Sequence, residues 1–229
     1  MSKETLEIGR IHGSEVKENT SSFGIALIIV GIDPSRNGEN ITQPKLWTNI
    51  EKKSKPATGR IAGQISFPGE SKKSGKNMKD TLAGGIVGEF SGSKNLIENN
   101  LFITPSWFAE NKVQVEGNPF DLAILVFKGQ LNQEIDPLDI NEVAPHGWMT
   151  IEEIQKKDPQ KDPRIVRGFV HQVIKLDDSE GCIKRVILES EGGLLVPVST
   201  ILPRDLSPEQ FFKDREKVRD VIDLRNGSQ

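Results

Sequence analysis

The stretch from Gln64 to Phe90 constrains the chain most. Gln64-Ile65-Ser66-Phe67 alternates polar and apolar residues and is halted by Pro68-Gly69, a pair that stops a ladder and turns the chain. A loop with Lys72, Lys73, Lys76 and Lys79 follows. It is either a solvated loop or a cationic rim that attracts phosphate-bearing ligands. From Asp80 the pattern becomes helical. Leu82, Ile86 and Phe90 recur at i, i+4 and i+8 and give one apolar stripe, with Asp80 as N-cap. The anomaly is Gly84, Gly85 and Gly88, three of the seven residues from Gly84 to Phe90. Each Gly inside a helix costs about 0.5–1 kcal/mol relative to Ala. Strand, turn, loop and helix in that order make a frame for a phosphate- or metal-handling site, and its helix is conspicuously short of side chains.

The rest of the chain supplies a sheet and its covers. Phe23–Ile32 reads as a central strand, because Ile25 to Val30 is apolar at every position. That run is also far short of the ~20 apolar residues that cross a bilayer. Further strands are expected at 45–50, 61–67, 96–104 and 122–127. Trp148 to Ile154 reads as the start of a second helix, with Thr150 and Glu153 spaced as a capping box. Ile165, Val166, Phe169, Val170, Val173 and Ile174 predict a third helix over 165–174. Residues 181–189 and 194–198 read as a small hairpin about Glu191-Gly192-Gly193, and 208–224 as a final charged helix. The expected fold is therefore α+β: a mixed sheet sandwiched between helices, with a small C-terminal β-hairpin and helix extension. The expected divisions are a lead-in at 1–22, the main domain at 23–176 and the extension at 177–229.

Composition narrows the function classes. A net charge of −3 argues against a general nucleic-acid binder, which carries a basic excess. Cys182 is the only cysteine, so there is no intrachain disulfide framework and no Cys-rich zinc site. A reducing, cytoplasmic setting follows, and Cys182 is expected to be a half-buried structural residue. Met1 to Arg10 is polar and lacks the apolar core of a signal peptide.

Gln64-Ile65-Ser66-Phe67-Pro68-Gly69 with the following loop and helix resembles the entry to the Nudix box, in particular that of the coenzyme A diphosphatase branch. Leu122 to Val126, the loop with Asn141-Glu142, and Trp148-Met149-Thr150 leading into Glu152-Glu153-Ile154 resemble the late strand and short helix that follow the box. Together they span about residues 23–174. The resemblance implies a Nudix-like fold, Mg²⁺ or Mn²⁺ if the protein is active, a nucleotide-type small molecule as ligand, and homodimerisation as an option. The family's helix carries an Arg-Glu pair and then a Glu-Glu pair, whose carboxylates hold Mg²⁺ against a diphosphate. On this sequence those positions fall on Gly84, Gly85, Gly88 and Glu89. Gly75 stands at the spacing of the earlier loop Glu, and Glu70 where the family has a second Gly.

The resemblance thus leaves a degenerate box and implies weak or absent hydrolysis. Its candidate residues are Glu89 and Glu142 for catalysis, Glu89 and Glu70 for a metal, and Phe67, Gly69, Glu70 and Lys76 for a ligand. The plainer readings are that Glu89 is a solvated helix residue, Glu142 a loop or cap residue, and Phe67, Phe127 and Trp148 core aromatics. His146, between Pro145 and Gly147, is a candidate base or a surface turn residue. Two functions stay open: a metal-dependent hydrolase of nucleoside diphosphates linked to another group, and a non-catalytic module that binds a nucleotide-type ligand or a protein.

Overall fold

A strand that is apolar at every position must be covered on both faces and paired on both edges, and β1 (Gly24–Ile32) meets that demand. It pairs antiparallel with β2 (Lys45–Glu51). Next come β3 (Ile65–Ser66), which pairs with β2, and β4 (Gly69–Ser71), which pairs with β1 beyond the Pro68 break. The helix α1 (Met78–Phe90) follows, then the long strands β5 (Leu101–Val115) and β6 (Asn118–Lys128). β6 lies parallel to β1 over its whole length, from Gly24 opposite Phe120 to Ile32 opposite Lys128. β7 (Val143–Thr150) pairs with β2. Three helices come next, α2 (Ile151–Lys156), α3 (Gly168–Glu180) and α4 (Cys182–Glu191). The short β8 (Val196–Pro197) adds to β5. The result is one eight-stranded mixed sheet with the order β3-β2-β1-β6-β5-β8. This computed structural model describes residues 22–32, 43–55, 59–72, 78–90, 99–115, 117–132, 135, 141–157 and 165–200.

Alternation along β1 sorts the core into two layers. Ile25, Leu27 and Ile29 face Leu82 and Ile86 of α1. Ala26, Ile28 and Val30 belong with Val170, Val173 and Ile174 of α3 and Ile183 and Val186 of α4. The sheet is thus covered by helices on both faces, as the expected sandwich of a mixed sheet between helices requires. At Gly85 α1 lies against the sheet. A Cβ there would lie 3.0 Å from Glu70 Cβ and 3.1 Å from Leu27 Cδ1, so those side chains would have to give by a few tenths of an ångström.

The capping box forms as expected: Thr150 Oγ1 accepts from the Glu153 amide at 3.1 Å, and Glu153 Oε2 accepts from the Thr150 amide at 2.7 Å. Four expectations shift. Asp80 lies within the first turn of α1, which begins two residues earlier, rather than capping it. Trp148 and Met149 belong to β7, because β2 pairs with that strand as far as Thr150. Ile165 and Val166 precede α3. The Ile65 amide donates to Ile165 O and the Arg167 amide to Ile65 O, so this backbone bridges alongside β3 in parallel instead of winding.

The fourth is the C-terminal hairpin. Residues 182–191 are helical, with Cys182, Ile183, Val186 and Ser190 buried at helical spacing. Their Ile and Val content favours strands, but one apolar face packed on the sheet outweighs that preference. Gly181, at φ 61°, ends α3 and leads directly into α4. α3 runs unbroken across 176–177, and α4 contributes to the main core. The expected helix at 208–224 lies outside the described residues. Among those described, no helix is long and apolar enough to cross a membrane.

Candidate functional site

At one end of the sheet a cleft opens between β2, β3, β4, the last turn of α1 and the start of α3. Its side chains come from strands by alternation. Asn49 and Glu51 sit two apart on β2, and Ser66 stands opposite Asn49 on β3. Gly69 and Glu70 come from β4, Glu89 from the end of α1, and Glu142 from the residue before β7. Phe67 and Phe169 form an apolar wall, edge to face at 6.2 Å between ring centres.

Charge is buried here. Glu51 is 2 % exposed, Glu142 5 % and Arg167 5 %. Arg167 Nη1 donates to Glu51 Oε1 at 3.3 Å, and its guanidinium lies over the Phe169 ring at 4.9 Å. Arg60 Nη1 bridges Glu51 Oε2 at 3.6 Å and Glu142 Oε2 at 3.5 Å. Lys55 Nζ closes on Glu142 Oε2 at 2.7 Å. Lys55 and Arg60 are themselves joined by reciprocal backbone hydrogen bonds, so a small β-bridge carries both cations to the cleft. Charges removed from water are tolerated when they are paired in this way.

Sequence reasoning named five residues that line this one cleft: Phe67, Gly69, Glu70, Glu89 and Glu142. Phe67 is also core, at 3 % exposure. Lys76 lies outside the described residues. His146 is exposed on β7, beside the β2–β7 irregularity, and is not in the cleft. Partial desolvation, with Lys157 nearby, holds its pKa below the ordinary value. Phe127 and Trp148 lie elsewhere, packed with Trp47. Cys182 is fully buried beside Asp177, and burial raises its thiol pKa to about 12, so it is no nucleophile.

Asn49, Glu51, Arg60, Ser66 and Arg167 were missed. A signal existed for two of them. Asn49 and Glu51, two apart, put two polar side chains on one side of a strand whose neighbours Trp47 and Ile50 are apolar. For the others nothing local marks them, because their pairing is long-range.

The residues present do not fit the divalent cation that the family implies. Position 85 carries no side chain and lies close against Glu70 and Leu27, and the Glu142 carboxylate is engaged by Lys55 and Arg60. Among the described residues no group of three or more His, Cys, Asp or Glu is arranged to hold a metal ion.

No protein-family model matches the chain, and no curated protein does. Solved structures similar to it include several Nudix hydrolases. RenU, a Nudix hydrolase from M. smegmatis, is 11 % identical with a TM-score of 0.43, over 71 % of this chain and 88 % of that one. A T. brucei MERS1–RNA complex gives 9 % and 0.41, over 73 % of this chain and 65 % of that one. The Nudix domain of Shewanella oneidensis NrtR, complexed with ADP ribose, gives 8 % and 0.40, over 78 % and 98 %. These are likenesses of fold; at such identities and scores neither ligand nor activity passes from them to this chain.

Proposed function

We propose that the chain is a Nudix-like binding module that takes a nucleotide-type small molecule in this cleft and hydrolyses diphosphates weakly or not at all. The observation that carries the reading is the packing at Gly85. A side chain at this position of the box would need Glu70 or Leu27 to give way by a few tenths of an ångström. The ion pair of Glu142 Oε2 with Lys55 supports it, since a general base must be aimed at the proton it removes. A single buried cysteine accords with a cytoplasmic setting.

The other reading is a Mg²⁺- or Mn²⁺-dependent hydrolase with Glu89 and Glu70 on the metal and Glu142 as base. What favours it is that all three line one cleft.

A panel of dinucleotides, nucleotide sugars and coenzyme A, incubated with either metal, separates the two. The binding reading expects no phosphate-containing product at micromolar protein and a ligand-induced rise in melting temperature. Metal-dependent turnover that disappears in Glu89→Gln overturns it.

A further inference from the structure

The inner end of the cleft has polar atoms that the protein itself leaves unmatched. Asn49 is 1 % exposed. Its Oδ1 accepts from Trp47 Nε1–H at 3.0 Å. An indole only donates, so this bond fixes which way round the amide sits. The NH₂ group then points away from Trp47. Nδ2 is buried and has no hydrogen-bond partner. Glu51, two residues on and on the same side of β2, is 2 % exposed. Its Oε1 is taken by Arg167, whereas Oε2 accepts no hydrogen bond and has only the Arg60 ion pair at 3.6 Å. Arg60 Nε is also buried without a partner. Buried polar groups in a folded protein are almost always matched. Here two donors and an acceptor are left over, all on residues that line the cleft.

We infer that this inner end holds the uncharged hydrogen-bonding edge of the ligand, a lactam or carboxamide such as a nucleobase or a nicotinamide presents. The inference rests on reading the cleft as a ligand site and adds which part of the ligand enters it. A lactam edge offers a carbonyl acceptor beside an N–H donor, which is the complement of Asn49 Nδ2 and Arg60 Nε on one side and Glu51 Oε2 on the other. A phosphate offers only acceptors and would turn an anionic oxygen toward Glu51. The charge of the lining points the same way: Glu51, Glu70, Glu89 and Glu142 against Arg60 and Arg167. Phe67 and Phe169 give a planar ring an apolar wall.

Calorimetric binding of inosine, uridine, nicotinamide and purine riboside to the full chain tests this. Purine riboside is inosine without the carbonyl and the adjacent N–H. The expected result is that inosine binds about ten-fold tighter or more than purine riboside, as loss of a buried hydrogen-bond match predicts. Asn49→Asp keeps the acceptor for Trp47 but replaces both donors, and it should remove that preference. If Asn49→Asp fails to fold, the ligand pair decides on the native chain alone. Equal binding of inosine and purine riboside, no binding of any of the three edge-bearing compounds, or displacement of inosine by pyrophosphate each overturns the inference. None of these compounds has a diphosphate to cleave, so turnover on the dinucleotide panel would sink the non-catalytic reading while leaving this result untouched.

Discussion

The two halves of β2 answer the same problem in opposite ways. At one end Trp47 is fully buried, edge to face with Trp148 at 5.3 Å between ring centres, and Trp148 lies 5.3 Å from Phe127. Shape alone settles that end, and the one polar atom of Trp47 is matched by Asn49. Four residues further on, Glu51 is as deeply buried but carries charge, and only Arg167 and Arg60 make that tolerable. The first end is a core that any volume-filling set of aromatics approximates. The second depends on which partner is present, and it leaves donors over. A region that packs for stability closes its polar accounts; one that leaves them open does so at a cost that a ligand can offset.

Substitution should separate the halves. Trp47→Ala is expected to have the largest effect, a loss of about 3–5 kcal/mol from the cavity it opens, read as a lower urea midpoint with little change in slope. Arg167→Met should cost about 3 kcal/mol, because Glu51 is then left buried with only the distant Arg60 pair. Adding Glu51→Gln to Arg167→Met should recover part of that loss. If the two losses simply add, the ion pair is not what holds this end together.

The smallest effect concerns a buried carboxylate for which desolvation outweighs the attraction of Lys72. Asp121 on β6 is 2 % exposed, and burial raises its pKa above 3.8 despite the Asn111 amide at 2.7 Å and a Ser22 hydrogen bond. A folded pKa above the unfolded one means that the native state binds the extra proton. Stability should therefore fall as pH rises from 3.8 through the raised value, and Asp121→Asn should flatten that slope. Unfolding midpoints across that range, wild type against variant, check the sign. A wild-type curve that rises through this window relative to the variant would mean that hydrogen bonding outweighs burial.

Much of this was legible in the residues. The apolar run at Ile25 to Val30 could only be a central strand, Pro68-Gly69 had to interrupt one, and Thr150 with Glu153 had to cap a helix. Each depends on neighbours in sequence. The stretch at 182–191 was misread because Ile183, Val186 and Ile187 suit a strand or a helix equally well until something covers one face. Ile165 and Val166 sit at helical spacing, yet Ile65 claims their backbone from a hundred residues away.

The glycines of α1 show both kinds of knowledge. The sequence by itself determined that three of seven residues there carry no side chain. Only the tertiary structure showed what one of them faces: at Gly85 the helix lies against Glu70 and Leu27, where a Cβ would be a tight contact. It also decided that Asn49, Glu51, Arg60 and Arg167 meet. Composition and local pattern follow from contacts along the chain, whereas a cleft is made by contacts across it. The pairing of Glu51 with Arg167 bridges 116 positions, and no local period encodes it.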